Sequence, residues 1–431
     1  MSNQNVGRRR RGRLASLCVS VVCIIGVLIV MAVPGEVRAA ATWTHFTIAD
    51  PLPGTSWGTG GIPLADFDGD GDLDVVISRR EPQTAYWFER KDDATWARHV
   101  MGRADGLAKT LGVAALDVNH DGLTDVVLTG VWFENPGGLR QASDTAWPAH
   151  GFAGGGHDIV AADMNGDGHL DVVTYHGAMV SWFDTAAAMK QTDVGQGEQN
   201  HGGIAPRGVD DLDGDGDADV VIPGYWFENP GRGAGRWSRH TWAHVPVANA
   251  SYGTSMRVWI ADINADGQND IVYSDCDTGN SHVYWVENMG QAMRWKRHPL
   301  PDPPTAPGDV PGTGSFHSLG VADFDADGDL DIFAGEQEDP DTYMTSQGKL
   351  PMKPPGLKER GVLWTHSGQR KPTFEAVVIH RDNPGWHDAT LGDVDGDGDI
   401  DIVSKIWNAD GATYHADYWR NETARRGGAG R

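Results

Sequence analysis

The chain has 431 residues and a formal net charge of −25, from 60 acidic and 35 basic side chains. An acidic surplus of this size argues against nucleic acid or an anionic membrane surface as a partner. Cys18 and Cys23 sit in an N-terminal apolar run, so Cys276 stands alone in the rest of the chain and no internal disulfide is available there.

The first 39 residues read as an export segment. Residues 8–13 are Arg-Arg-Arg-Arg-Gly-Arg, and Leu14 to Val33 is an uncharged apolar run that Pro34-Gly35 breaks. Val37-Arg38-Ala39 supplies small residues suited to cleavage before Ala40. The run is also long enough to span a bilayer, so residues 1–39 are expected to be a signal peptide or an N-terminal anchor. Either way the protein is expected outside the cytoplasm, secreted or held on the outer side of the cytoplasmic membrane. Millimolar calcium there can fill weak sites.

From Asp66 onward one nonapeptide, Asp66-Phe67-Asp68-Gly69-Asp70-Gly71-Asp72-Leu73-Asp74, is written seven times. Oxygen side chains recur at positions 1, 3, 5 and 9. They are Asp66, Asp68, Asp70 and Asp74 (with Asp72 between), then Asp117, Asn119, Asp121 and Asp125, and Asp163, Asn165, Asp167 and Asp171. Asp211, Asp213, Asp215 and Asp219 follow, then Asp262, Asn264, Asp266 and Asp270. The last two sets are Asp323, Asp325, Asp327 and Asp331, and Asp393, Asp395, Asp397 and Asp401. Alternate carboxylates converge on one point and the Gly at position 6 allows the sharp turn, which is the chemistry of Ca²⁺. No Glu occupies position 12, where Ile77, Leu128, Thr174, Ile222, Tyr273, Ala334 and Ser404 stand, so these are calcium loops between strands and not EF-hands. Up to seven Ca²⁺ are expected. Much of the acidic surplus is then ligand, and the metal-free chain should repel itself.

Successive loop starts are 51, 46, 48, 51, 61 and 70 residues apart, a period that signals a solenoid, a propeller or an array. A tryptophan word recurs between them, from Tyr86-Trp87-Phe88-Glu89 through Tyr225-Trp226-Phe227-Glu228-Asn229-Pro230 to Tyr418-Trp419-Arg420-Asn421. Some copies add a Trp-His word, as in Trp96 to His99 and Trp237 to His240. Each period reads as four short strands, and the reading is an all-β, seven-bladed β-propeller over residues 40–421. The tryptophans are expected to pack between blades. The last repeat lacks a fourth strand while Trp43 to Ile48 is a fourth-strand word without a blade, so the N-terminal strand is expected to close the last blade. Residues 422–431 read as a disordered tail, and a monomer is expected.

At its Asp-x-Asp-Gly loops and Val-Ala-Asp-x-Asp lead-ins the chain resembles the FG-GAP/VCBS repeat proteins, which include the integrin α-subunit propeller and many secreted bacterial proteins. The resemblance covers about 44–421 and implies the fold and the calcium. The Phe-Gly and Gly-Ala-Pro words that name the family survive only as Ala334-Gly335 and Pro223-Gly224, so integrin-like ligand binding is not implied. Calcium-loaded propellers of similar repeat type include lectins, polysaccharide lyases and a keto-sugar dehydratase. The His-Ser-Leu-Gly-Val-Ala-Asp and Trp-His-Asp-Ala-Thr-Leu-Gly-Asp lead-ins are more similar to the secreted carbohydrate-active members.

In such a blade the start of the first strand and the end of the second emerge opposite the calcium loops, where loops on a rigid scaffold carry recognition. His157, His317 and His387 lie six residues before their loops, and Lys405 ends a second strand; these four are the candidate catalytic residues. Lys109, His176, Arg207, Arg257, Glu336, Trp386 and Trp407 are the candidate substrate-binding residues. Three readings stay open. The set could hydrogen-bond a sugar or acidic glycan while a Trp stacks on the ring, as in a lectin. It could abstract a proton beside a carboxylate or ketone, as in a carbohydrate lyase or dehydratase, with Arg holding the anion. The imidazoles, with Glu336 or Asp388, could also hold Zn²⁺. The long insertions Pro301–Pro311 and Pro340–Pro355 keep a protein-binding scaffold as the third reading.

Overall fold

The computed structural model describes residues 41–54, 58–81, 83–105, 107, 111–198, 201–249, 253–338, 340–345, 348–368, 370–382, 385–407 and 413–423. Residues 1–40, Lys109 and residues 424–431 lie outside the described residues, and with them the expected export segment and most of the expected tail. No helix among the described residues is long and apolar enough to cross a membrane.

The described residues form seven blades, each an antiparallel four-stranded sheet, and in blade 5 Pro206–Arg207 adds a short fifth strand parallel to the first. Blade 1 consists of Leu64–Ala65, Asp74–Arg79, Thr84–Asp92 and Thr95–Arg103. Blades 2 to 6 repeat this order, beginning at Val113, Asp158, Val209, Met256 and Phe316. Blade 7 contains Asp388–Gly392, Asp401–Lys405 and Ala416–Asn421, and its outer strand is Trp43–Ala49, paired antiparallel from Trp43 opposite Asn421. The two ends of the propeller therefore share one sheet, as the sequence arithmetic requires, and the edge of blade 7 is covered. Asn421, which opens an Asn-Glu-Thr sequon, is fully buried there and unavailable for glycosylation.

The apolar pair after each loop explains why the sheets close into a ring. Alternate residues of a strand face opposite sides, so Val75 faces blade 7 while Val76 faces blade 2. Seven buried apolar clusters result, one between each pair of neighbouring blades. The propeller has no single centre; its core is divided among seven seams.

The tryptophan words are not equivalent, although the sequence writes them alike. In blades 1 to 5 the Trp lies opposite the second residue of the apolar pair, as Trp87 opposite Val76 and Trp285 opposite Val272. In blades 6 and 7 it lies opposite the first, Trp364 against Ile332 and Trp419 against Ile402. A slip of one residue turns a side chain to the other face of a sheet, so these two point back to the preceding blade. Tyr418 and Leu363 take the places that Trp87 holds in blade 1.

The Trp-His words also acquire a reason. In five blades the outer-strand His lies directly opposite the third-strand Trp, stacking at 4.6 Å (His99 on Trp87), 4.3 Å (His150 on Trp132), 4.5 Å (His240 on Trp226), 4.3 Å (His298 on Trp285) and 4.2 Å (His45 on Trp419). The same imidazoles bond third-strand carboxylates, such as His240 Nε2 to Glu228 at 2.7 Å and His45 Nε2 to Asp417 at 2.7 Å. Of the two insertions, the second forms a hairpin of Thr342–Thr345 and Gly348–Pro351 within blade 6. The first is irregular and tied down by Trp364 Nε1 donating to the Pro301 carbonyl at 2.7 Å.

Candidate functional site

Two groups of ionisable residues occupy opposite ends of the blades. At one rim the seven Asp-Gly loops are folded on their own backbone. Asp66 accepts N–H groups from Gly69 and Asp70 on Oδ1 and from Gly71 on Oδ2, and Asp68 accepts from Asp70. Position 6 has positive φ in every copy, and so does position 4. Position 4 is Gly in four loops and His120, Ala265 or Ala326 (φ 63°, 52° and 58°) in the others. The sequence reading recognised only the first of these constraints.

The position-nine aspartates are buried in all seven copies. Each clamps its loop to its own third strand, as Asp270 does by accepting N–H from Ile263 at 3.3 Å and from Asn288 at 2.7 Å. Burial, reinforced by neighbouring carboxylates, pushes Asp74, Asp171, Asp270, Asp331 and Asp401 up to about 7, and Asp219 up to about 8. Such carboxylates suit a site that a cation completes. Donor oxygens of Asp66, Asp68 and Asp70 lie within 4.8 Å of one another, as do those of Asp211, Asp213 and Asp219 and of Asp323, Asp325 and Asp331. An all-oxygen set on a preformed loop fits Ca²⁺, and these residues could hold it.

In four blades the residue after the tryptophan word also links neighbours. Asn135, Asn229, Asn288 and Asn421 each donate from Nδ2 to a carbonyl of the preceding blade's loop, those of Phe67 (2.9 Å), Met164 (3.1 Å), Leu212 (3.2 Å) and Phe324 (2.7 Å). Four of the seven seams, those between blades 1 and 2, 3 and 4, 4 and 5, and 6 and 7, are bridged in this way.

The first strands of all seven blades line an axial channel of about 760 Å³, which reaches Asp163, Asp211 and Asp217 of the Asp-Gly loops at one end. Its walls combine apolar side chains, Ile62, Val113, Ile159, Trp259 and Leu391 among them, with polar groups in similar measure. Its polar end brings together His157, Asp158, Arg257, His317, His387 and Asp388. Arg257 is the hub. Its Nε donates to the His317 carbonyl at 2.7 Å, and its guanidinium pairs with Asp158 at 3.3 Å and Asp388 at 3.1 Å. Asp388 also pairs with Lys405 Nζ at 2.6 Å. Asp158 accepts three consecutive backbone N–H groups, from Gly203 (2.6 Å), Ile204 (2.9 Å) and Ala205 (3.0 Å).

The cluster is largely buried, and its protonation follows from that. Burial alone would raise both carboxylates, but His157, Arg257 and the backbone N–H groups hold Asp158 well below the usual range. Lys405, His387 and Arg257 do the same for Asp388. Burial pulls His387 down to about 3 and His201, which packs 4.3 Å from His157, down to about 4. His317 falls well below its ordinary value for the same reason. These imidazoles are neutral at physiological pH, able to accept a proton or a metal. Burial also lowers the Lys405 ammonium, against the pull of Asp388. Cys276 is buried and its thiol is pushed well up by burial and by Asp277, so it is not a reactive surface thiol.

The sequence candidates divide accordingly. His157, His317, His387, Lys405 and Arg257 converge. Trp407 joins them, its ring stacked 5.6 Å from His387 with Arg80 4.9 Å away and its backbone N–H donated to Glu338 at 2.5 Å. Arg207 lines the channel but is exposed and paired with Asp210 at 2.8 Å. Three candidates need correction. Trp386 is fully buried, stacked 4.7 Å from Trp419 in the seam between blades 6 and 7, and offers no face to a ligand. Glu336 is fully buried with both oxygens bonded to Arg360 (2.7 and 2.9 Å). His176 is exposed on a hairpin turn of blade 3, outside the channel lining.

Asp158, His201, Cys276 and Asp277 were missed. Asp158 had a signal, because His157-Asp158 and His387-Asp388 repeat one dipeptide at the same place in blades 3 and 7. His201 arrives from the connection between blades 3 and 4, and Cys276 and Asp277 from the connection between the second and third strands of blade 5, where no repeat marks them.

The FG-GAP-like repeat profile matches residues 66–128, 117–174, 211–273 and 262–334. No curated protein matches. Among solved structures, a lectin from Agrocybe aegerita that recognises non-reducing terminal N-acetylglucosamine is 19% identical, covering 80% of this chain and 91% of that one with a TM-score of 0.49. BBS1N in complex with ARL6DN is 10% identical over 89% of this chain and 98% of that one, with a TM-score of 0.48. The exotype rhamnogalacturonan lyase YesX is 13% identical over 87% of this chain and 75% of that one, with a TM-score of 0.42. Likeness at this level carries no ligand from one protein to another. The repeat profile spans more than half of the chain, which belongs to the FG-GAP-like repeat family and folds as a seven-bladed β-propeller.

Proposed function

We propose that this is a secreted, calcium-loaded propeller that binds a carbohydrate, an acidic glycan above all, at the axial cluster opposite the Asp-Gly loops. The observation that carries the reading is the channel itself. Its volume of about 760 Å³ suits a short oligosaccharide, and its polar end offers neutral imidazoles beside Arg257. Neutral His accepts or donates to sugar hydroxyls, and the Arg257 guanidinium attracts a uronate carboxylate. The test is a glycan panel read by calorimetry in calcium. Binding of at least one uronate-containing oligosaccharide is expected, weakened at least ~10-fold in His387→Ala, a loss of about 1.4 kcal/mol. Unchanged affinity in that variant, with binding retained, would sink the reading.

A second reading is favoured by one further feature. His317 and His387 are held neutral within reach of a guanidinium, the pairing of base and anion stabiliser that a lyase or dehydratase needs. It requires an unsaturated product that His387→Ala abolishes. Binding without turnover supports the lectin, and neither activity supports a protein-binding scaffold.

A further inference from the structure

The sequence expectation puts a transition metal among the axial histidines with Glu336 or Asp388. The geometry points elsewhere. We propose that Cys276, Asp277 and His317 form a site for one borderline divalent cation of the Zn²⁺ or Co²⁺ class, separate from the calcium loops in both place and chemistry.

One ligand atom from each of the three residues lies within 4.8 Å of the other two, and all three side chains are buried. His317 Nε2 and the nearer Asp277 oxygen are 3.9 Å apart. That is too long for a hydrogen bond. It is close to the edge, roughly 3.3–3.8 Å, of a tetrahedron built on bonds of about 2.0–2.3 Å.

The orientation of the imidazole selects this side. His317 Nδ1 lies 2.8 Å from the His387 carbonyl, which can only accept, so the proton belongs on Nδ1 and the lone pair on Nε2. Arg257 Nη2, 2.9 Å from the same Nδ1, has Asp388 Oδ1 at 3.1 Å to take its proton. A ring fixed by a backbone carbonyl with its other nitrogen turned to a carboxylate and a thiol is the usual support of a metal-binding His. Cys276 Sγ has a neighbour of its own in Ser255 Oγ at 3.0 Å. Asp277 is held at φ 56°, a backbone position uncommon for a residue with a side chain.

The alternative triad of His317, His387 and Asp388 is less suited. Asp388 already pairs with Arg257 and Lys405, and a dication would have to compete with both. One sulfur, one nitrogen and one carboxylate oxygen favour Zn²⁺ or Co²⁺ over Ca²⁺ or Mg²⁺, and three protein ligands leave a fourth position open. Binding converts the buried thiol to thiolate and releases its proton. The site shares His317 with the polar end of the channel, but metal binding there requires no carbohydrate.

The full chain carrying Cys18→Ser and Cys23→Ser, so that Cys276 is its one thiol, is stripped with chelator, returned to excess Ca²⁺ and titrated with Zn²⁺ and separately with Co²⁺. One Zn²⁺ per chain is expected, and the Co²⁺ form should show thiolate-to-metal charge-transfer absorption. Cys276→Ser should lose that band and bind Zn²⁺ at least ~100-fold more weakly, while Asp388→Asn keeps both. The Co²⁺ spectrum of the unsubstituted site guards against a variant that fails to fold. Absence of bound Zn²⁺, absence of the band, or a band lost in Asp388→Asn but kept in Cys276→Ser would each overturn the proposal.

Discussion

The two ends of this propeller solve opposite electrostatic problems. At the Asp-Gly rim, one short motif gathers like charges seven times near the surface and leaves them for a cation to reconcile. At the axial end, Asp158, Arg257, Asp388 and Lys405 come from blades 3, 5 and 7, lie buried, and neutralise one another. Repetition serves stability, since every seam needs the same brace. A site needs different residues in each blade, because a ligand on the axis meets all seven at once.

The largest expected effect breaks the rim and spares the axis. Each calcium site at a hundredfold excess of ion over Kd contributes about 2.7 kcal/mol. Chelation should therefore lower Tm by well over ten degrees, and readdition of Ca²⁺ should restore it; an unchanged Tm would remove calcium from the account. Asp270→Ala comes next, because it leaves three buried N–H groups, those of Ile263, Asn288 and the Trp285 indole, without their acceptor at about 1–3 kcal/mol each. Denaturant unfolding should show that loss even in chelator, whereas Asp266→Ala, on the exposed loop, should matter mainly in calcium.

Asn229→Ala removes the bond between blades 3 and 4 and should cost about 1–3 kcal/mol. A loss no greater than that of a surface substitution would mean that the seam clusters alone join the blades.

The axis has its own signature in pH. His201 and His387 titrate near their ordinary value when unfolded but at about 4 and 3 when folded, so the unfolded chain gains protons first as pH falls. Their contribution is complete above about 6.5 and is lost progressively down to about 4. In saturating Ca²⁺, Tm should fall over that window, and the fall should be shallower in His201→Gln. An identical slope in the variant would show that the rim alone controls acid sensitivity. The smallest effect is at position 4 of the sixth loop, where Ala326 sits at φ 58°. Ala326→Gly should be neutral to stabilising by up to about 1 kcal/mol, unlike a typical Ala→Gly change.

Much of the rim could be read in advance. A nonapeptide that recurs with alternating carboxylates carries most of its geometry locally, because the bonds that turn the loop fall within nine residues and only the clamp of the position-nine Asp to the third strand reaches further. The blade count and the strand exchange at Trp43–Ala49 followed from the same arithmetic. The axial cluster was only partly legible. His157, His317, His387, Lys405 and Arg257 were found by position, but Asp277 and His201 come from connections whose course no local pattern sets.

The sequence by itself determined the number of blades, the closing strand and the calcium-type loops, since all are written as short-range repeats. Only the tertiary structure decided which face each tryptophan takes, because a one-residue slip in blades 6 and 7 is invisible until strands pair. It also decided that Trp386 and Glu336 belong to the framework and that Cys276 meets His317. Those outcomes depend on contacts between residues tens of positions apart, fixed when the ring closes.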